Sequence, residues 1–407
     1  MKLLHTSDWH LGKSLGNISR HLEQMAVLDE ICQVAEREKV NAILIAGDLF
    51  DTFNPAVESV ELFYRTLKRL ANEGSRIVIA IAGNHDSPDR IESPDPLARE
   101  CGIIFVGYPL TKVHPFTLSS GLSVARSDEG FIEIMVPRQE VPLRIVITPY
   151  ANEKRLRSFL GIENPEEQLR TILQTRWQQI CEKHCDSQGI NILIAHLFLT
   201  AQGGEELSEP DDEKPILDIG GAQAIYTNNL PPQVQYVAVG HLHRRIVMQG
   251  ENTPVIYSGS PLSYSLNDTE QSKSVTIVDL EPGKPAQHRR VELVSGKKVF
   301  RKLFKSVGET IAWLESNPNT LVELTMESDT YLTAEERKAI YSAHDGIVDI
   351  IPVINDADSG VSERVDSSSL SKSVEELFRD YFKHEMGQEP NEQMMGLLRE
   401  VMKAEEA

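Results

Sequence analysis

Short apolar runs alternate with longer stretches of helical spacing through the first 110 residues. Lys2 to Thr6 predicts a strand. Met25, Leu28, Cys32 and Ala35 then fall at i, i+3, i+7 and i+10, one face of a helix. Ala42 to Ala46 is apolar without alternation and predicts a strand covered on both sides. Val60, Phe63, Leu67 and Leu70 repeat the helical spacing, with Gly74 placed for a left-handed terminus, and Ile77 to Ile81 predicts a third strand. A β-α-β-α-β order calls for a parallel sheet flanked by helices.

The pattern then changes. Phe116 to Val136 alternates on either side of Ser127-Asp128-Glu129-Gly130 and predicts antiparallel strands. Arg144 to Thr148, Asn191 to Ala195, Tyr236 to Val239, Val255 to Tyr257 and Ser274 to Val278 read as further strands, and Glu166 to Cys181 as a helix. This mixture predicts an α/β fold of two sheets packed into one sandwich over residues 1–280. Residues 281–354 read as a small α+β module, and 355–371, rich in Asp and Ser, as a flexible linker. In 372–407, Val374, Leu377, Phe378, Tyr381 and Phe382 form one amphipathic stripe. Met394, Leu397, Leu398, Val401 and Met402 form another. Helices this short are marginal alone, so the pair either packs back on its own chain or, as expected here, docks on a partner through its aromatic and aliphatic side chains.

Composition narrows the class. Hydrophobic residues make up 40% and charged residues 25% of the 407, an ordinary globular balance. No apolar run is long enough to span a bilayer, and the polar residues after Leu4 are not those of a signal peptide. Four cysteines form no disulfide framework, so a reduced, cytoplasmic protein with no membrane association is expected. The 41 basic and 61 acidic side chains leave a net charge of −20, which weighs against nucleic acid unless cations or a basic partner offset it locally.

Five segments place metal-binding residue types directly after expected strands: Asp8-Trp9-His10, Gly47-Asp48, Gly83-Asn84-His85-Asp86, Ala195-His196 and Gly240-His241-Leu242-His243. Loops at the carboxyl ends of strands converge in sheets of this kind, and buried carboxylates and amides at one rim need a common partner. A polynuclear metal site satisfies them all. The glycines at 47, 83 and 240 allow a sharp turn into each ligand. Two side chains separated by one residue share a side of an extended chain, which pairs Asp8 with His10 and His241 with His243. A mixed imidazole, carboxylate and amide set favours Mn, Fe, Zn or Co over Mg, with manganese expected first. His85, beside a ligand, is placed to act as a general acid. Asp51 and Asp86 are expected to orient the histidines from behind.

Taken together these segments resemble the signature of the calcineurin-like metallophosphoesterases. The resemblance implies the two-sheet sandwich and two ions, one held by Asp8, His10, Asp48 and His243. The other would be held by Asp48, Asn84, His196 and His241, with Asp48 bridging and His85 assisting the leaving oxygen. The longer runs Leu4 to Gly12, Ala46 to Asp51, Ala82 to Ser87 and Tyr257 to Pro261 resemble the bacterial nuclease subunits related to the double-strand-break repair nucleases of archaea and eukaryotes. The archaeal and eukaryotic relatives usually carry His where this chain has Asp51, a departure that fits the bacterial branch. The closer resemblance implies exonuclease action on double-stranded DNA ends and endonuclease action on hairpins, in repair and recombination. It also implies that 281–354 is a DNA-capping module, that 372–407 binds a coiled-coil ATPase, and that the chain forms a homodimer. A small-molecule phosphodiesterase or phosphatase on the same fold is the alternative. Leu11-Gly12-Lys13-Ser14 lacks the earlier glycine of a phosphate-binding loop, so no ATPase site is expected in this chain.

Overall fold

The computed structural model describes residues 1–156, 165–201, 225–250, 253–267, 271–328 and 330–354, with 378, 379, 390, 394 and 395. Residues 1–353 form one compact unit and 354–407 a second. The chain opens with β1 (Lys2–Thr6), α1 (His21–Glu38), β2 (Ala42–Ile45), α2 (Val57–Ala71), β3 (Ile77–Ile81) and β4 (Ile103–Val106). β1 to β4 pair in parallel in that order, Thr6 beside Ile45 and Ile45 beside Ala80. Every residue of β2 and β3 is buried, which explains why neither run alternates.

Helix α1 buries Leu28, Cys32 and Ala35 of the expected face but not Met25. Gln24 is buried where Met25 was expected, and Met25 is 45% exposed. The Gln24 side chain donates to the His10 carbonyl at 2.9 Å, so a polar residue occupies the stripe to hold a site loop. Helix α2 ends at Asn72, which takes the left-handed conformation (φ 47°) two residues before Gly74.

The second sheet follows: β5 (Phe116–Thr117), β6 (Ser123–Asp128), β7 (Phe131–Met135), β8 (Leu143–Thr148), α3 (Pro165–His184), β9 (Ile190–His196), β10 (Tyr236–Gly240), β11 (Ile246–Gln249) and β12 (Pro254–Tyr257). Its order is β11-β12-β10-β9-β8-β7-β6-β5, with β8, β9, β10 and β12 parallel and β5 to β8 antiparallel neighbours. Leu3, Leu44 and Ile79 of the first sheet meet Ile132, Ile145 and Ile192 of the second in a shared core. Each such side chain contributes roughly 1.5–3 kcal/mol by leaving water. Helices α1 and α2 cover the first sheet's other face, and α3 covers the second with Leu169, Leu173 and Trp177.

The chain then returns to the first sheet. β13 (Ser274–Asp279) pairs antiparallel with β1, and β14 (Gln287–Glu292) pairs with β13, giving the order β14-β13-β1-β2-β3-β4. This corrects the expected module boundary at 281, because the first sheet continues to Glu292. The sequence Gln-His-Arg-Arg-Val-Glu hides this strand: it is an edge strand with mostly exposed side chains and has no apolar face to read.

The small module comprises β15 (Lys298–Phe304), α4 (Val307–Ser316), β16 (Thr320–Ser328), α5 (Ala334–Ala343) and β17 (Ile347–Ile354). Its sheet runs β15-β16-β17 around Leu314, Val322, Leu324, Met326 and Ile340. Ser306 caps α4 by accepting from the Glu309 amide, and Thr333 with Glu336 forms a capping box on α5. The expected linker 355–371 lies outside the described residues. So do Leu377, Tyr381, Phe382, Leu397, Leu398 and Val401 of the tail, while Phe378 is helical and half-buried. Among the described residues no helix is long and apolar enough to cross a membrane.

Candidate metal centre

The loops leaving β1, β2 and β3 meet the ends of β9 and β10. The Asp8 amide donates to Gly47 O at 3.0 Å, the His241 amide to Asp8 Oδ1 at 2.8 Å, and His196 Nδ1 to Ala46 O at 2.8 Å. These contacts leave no room for side chains at two glycines. A Cβ on Gly47 would sit 2.2 Å from His196 Nδ1, and one on Gly240 only 1.8 Å from Ala46 O. Gly47 also needs a positive φ, 90°, whereas Gly240 is required by close approach alone.

The ligand pairs converge, but not on extended backbone. Asp8, His10, Asp48 and His241 have φ of 54°, 42°, 49° and 107°, conformations that cost roughly 1–3 kcal/mol each. The one-residue spacing argument is therefore corrected: tight left-handed turns, not a period of two, aim Asp8 and His10 inward.

The expected ligands fall into two groups, beside a further close set of His10, Asp51 and His85. Asp8, His10 and His243 bring ligand atoms within 4.8 Å of one another, and so do Asp48, His196 and His241. Asp48 lies between them, its Oδ2 3.6 Å from His10 Nε2 and 3.3 Å from His196 Nε2. Asn84 joins the second group, its Oδ1 2.8 Å from His196 Nε2. In the first group His10 Nε2 and His243 Nε2 face each other at 3.0 Å. Two facing imidazole nitrogens share at most one proton between them, and with Asp8 and Asp48 fully buried beside them the donors suit a cation. All seven expected ligand residues are thus brought to one place, in two groups sharing Asp48.

His85 is 4% exposed and lies against the first group. Its amide donates to Asp48 Oδ1 at 3.0 Å, its Nδ1 donates to Asp51 O at 2.8 Å, and its ring meets that of His10 edge-on. With Nδ1 committed to a carbonyl, Nε2 is the nitrogen left for proton transfer. Asp51 Oδ1 lies 3.6 Å from His10 Nδ1 and 3.8 Å from Lys13 Nζ. Burial pushes its carboxyl up, but His10 and Lys13 outweigh that and hold it below its ordinary value. Asp86 departs from expectation. Its carboxylate accepts from the backbone amides of Leu49, Phe50 and Gly83, at 3.0, 3.0 and 2.8 Å, so it clamps the loops carrying Asp48 and Asn84 and orients no histidine.

Burial raises the carboxyls of Asp8 and Asp86, Asp48 pushes both the same way, and neighbouring histidines oppose the rise at Asp8. Burial would lower His196, yet Asp48 and Asp8 outweigh it and push the imidazole up to about 9. The protein groups alone therefore hold excess negative charge and draw in a proton where a cation fits.

Sequence reasoning missed the supports. Arg155, 6% exposed, donates to Gly83 O and Asp86 O at 2.8 Å each, bracketing the loop that bears Asn84 and His85. The Tyr264 hydroxyl donates to Trp9 O between the two ligands of the first loop. No residue spacing signals either, because both act on carbonyls distant in sequence. Of the histidines outside the motifs, His5 and His184 are structural: His5 Nδ1 meets the Tyr236 hydroxyl at 2.8 Å, and His184 stacks on Phe131.

The site and sandwich define a metal-dependent phosphoesterase. Residues 1–245 match the calcineurin-like phosphoesterase family, and the chain belongs to that family and, within it, to the SbcD proteins of the SbcCD nuclease. It is 35% identical to the Bacillus subtilis SbcD protein over 98% of this chain and 97% of the relative. It is 32% identical to the Rhodobacter capsulatus protein over 71% and 68%, and 29% identical to the Escherichia coli K12 protein over 93% and 90%.

Proposed function

We propose that this chain is the nuclease component of a DNA end-processing complex, hydrolysing phosphodiester bonds with two divalent cations. The carrying observation is the convergence of Asp8, His10, Asp48, Asn84, His196, His241 and His243 in two groups that share Asp48. One ion would take Asp8, His10, Asp48 and His243; the other would take Asp48, Asn84, His196 and His241. Such a pair supplies an activated water and offsets phosphoryl charge. Manganese is the first candidate, since the mixed nitrogen and oxygen donors disfavour magnesium.

The protein's own contribution is orientation and proton transfer. Asp86 and Arg155 fix the two loops that carry Asp48, Asn84 and His85. His85, held through Nδ1 by Asp51 O, presents Nε2 and delivers a proton to the departing oxygen. Near-full-length likeness to SbcD nucleases weighs against the small-molecule phosphodiesterase, which needs neither the added module nor the tail.

The name of those relatives, one component of SbcCD, supports an SbcC-type coiled-coil ATPase as partner, bound through 372–407. The β15–β17 module we read as a cap over DNA. A homodimer is supported by the groove between α1 and α2, where Leu22 and Met25 are 78% and 45% exposed. All four cysteines are thiols, which suits the cytoplasm. With a net charge of −20, DNA affinity is expected to be weak alone and stronger with the partner.

The test is digestion with manganese, using blunt duplex, hairpin DNA and a chromogenic phosphodiester, with and without the ATPase and its nucleotide. Degradation of duplex ends and opening of hairpins is expected. Turnover of the small ester with intact DNA, even beside the ATPase, would favour the small-molecule reading.

A further inference from the structure

His243 faces a second neighbourhood besides the metal centre. It lines a cleft of about 270 Å³ whose other walls come from the residues after it, the 258–260 turn, β13 and β14. Four cations, Arg244, Arg245, Lys273 and Arg290, line this cleft, and among the described residues no carboxylate does. In a chain of net charge −20 such a gathering is out of character.

Hydrogen bonds to neutral groups hold two of them in place. Lys273 Nζ donates to His243 O at 3.0 Å and to Ser260 Oγ at 3.2 Å, which ties the cleft wall to the backbone of the metal centre. Arg290 donates to Ser272 O at 2.6 Å. Neither Arg245 nor Arg290 makes an ion pair among the described residues. The Ser274 hydroxyl, on a residue 2% exposed that lines the cleft, has no hydrogen-bond partner, and the buried Nε of Arg245 has none either. Buried polar groups are ordinarily satisfied, so unsatisfied donors beside concentrated positive charge mark where an acceptor belongs. An anion between the two arginines would offset both charges and give the buried Arg245 Nε an acceptor.

We propose that this cleft binds a phosphate of the DNA strand flanking the one at the metal centre, so that the strand is gripped at two points. The inference rests on the DNA reading above. Guanidinium forks match phosphate oxygens bidentately, Ser274 adds a hydroxyl donor, and the shared wall at His243 puts the two sites next to each other. The acidic chain thereby carries its own local patch of positive charge for the substrate.

The test uses the full chain and the variants Arg290→Gln, Arg290→Lys and Arg245→Gln, with melting curves confirming that each folds. Arg290 is exposed, so its replacement spares the core. Inorganic phosphate binding is measured calorimetrically without divalent metal. The KM is measured for hexathymidylate and for the nitrophenyl ester of thymidylate, which carries a single phosphate. Arg290→Gln is expected to weaken phosphate binding and to raise the oligonucleotide KM about tenfold, as loss of a charge-assisted contact does. The ester KM should move less than about twofold by the same reasoning, and Arg290→Lys should restore most of the loss. The slope of log affinity against log salt for the oligonucleotide should become shallower by about 0.7 for each phosphate contact removed. Equal oligonucleotide KM and salt slope across all variants would overturn the proposal, and so would phosphate binding that depends on Arg290 while the oligonucleotide is indifferent to it. Should the wild type cleave no DNA while its phosphate binding still requires Arg290, the nuclease reading would fail and the anion site would stand.

Discussion

Asn84 Oδ1 lies 2.8 Å from His196 Nε2, across 112 residues of sequence. The other ring nitrogen of His196 donates to Ala46 O, so the contact with Asn84 needs a second proton and a charged imidazole. Asp48 and Asp8 supply the field that holds this proton, outweighing burial and pushing His196 up to about 9. A proton therefore occupies the position that a divalent cation would compete for.

Cation binding should displace it. Manganese titrated near pH 7 in two buffers of different ionisation enthalpy should show about one proton released per chain. Affinity should also rise with pH; buffer-independent heats would contradict this. The same linkage fixes a stability trend for the protein without cations. His196 is raised from 6.5 to about 9, so its contribution is complete below pH 6.5 and is lost as pH rises through 9. Asp8 and Asp86 are also raised from 3.8, and their contributions are likewise lost with rising pH, from a lower starting point. Melting temperatures should fall from pH 6.5 to 9 and rise again when manganese is added.

His85→Ala should keep both cations and lose hydrolysis by about 10²–10⁴-fold, the range of general acid catalysis. Metal content by atomic emission beside single-turnover rates separates the two effects. Loss of metal in this variant would mean that His85 is a ligand.

Arg155→Met should leave the sandwich folded but free Gly83 O and Asp86 O of their donors. A hydrogen bond to a charged group contributes about 1.5–3 kcal/mol, and supports behind ligands typically carry 10–100-fold in metal affinity. Manganese affinity and melting temperature should therefore both drop, with Arg155→Lys intermediate because one ammonium cannot reach two carbonyls in a fixed fork. An unchanged manganese affinity would remove Arg155 from the site's support.

What the sequence made legible was set by chemistry that tolerates few residue types. Ala42 to Ala46 and Ile77 to Ile81 announce themselves because both faces are covered, and the ligand segments because few side chains bind metal at a strand end. Met25 misled because Gln24, an amide, took the buried position to hold His10 O. Asp86 misled because its partners are three backbone amides, invisible in a side-chain pattern. Arg155 sits in the polar run Asn152-Glu153-Lys154-Arg155, where nothing distinguishes a buried guanidinium from a solvated one. The turns at Asp8 and His10 reached the expected convergence through left-handed backbone that the residue types alone do not announce.

Deletion of 372–407 should leave manganese-dependent cleavage by the chain intact and abolish co-elution with the SbcC-type ATPase. An undiminished complex would place the docking surface elsewhere.

The most direct test is anomalous diffraction at the manganese edge from crystals soaked in manganese. Two peaks per chain are expected, one among Asp8, His10 and His243 and one among Asp48, His196 and His241. An empty density between those side chains, with manganese bound only at the surface, would contradict the account.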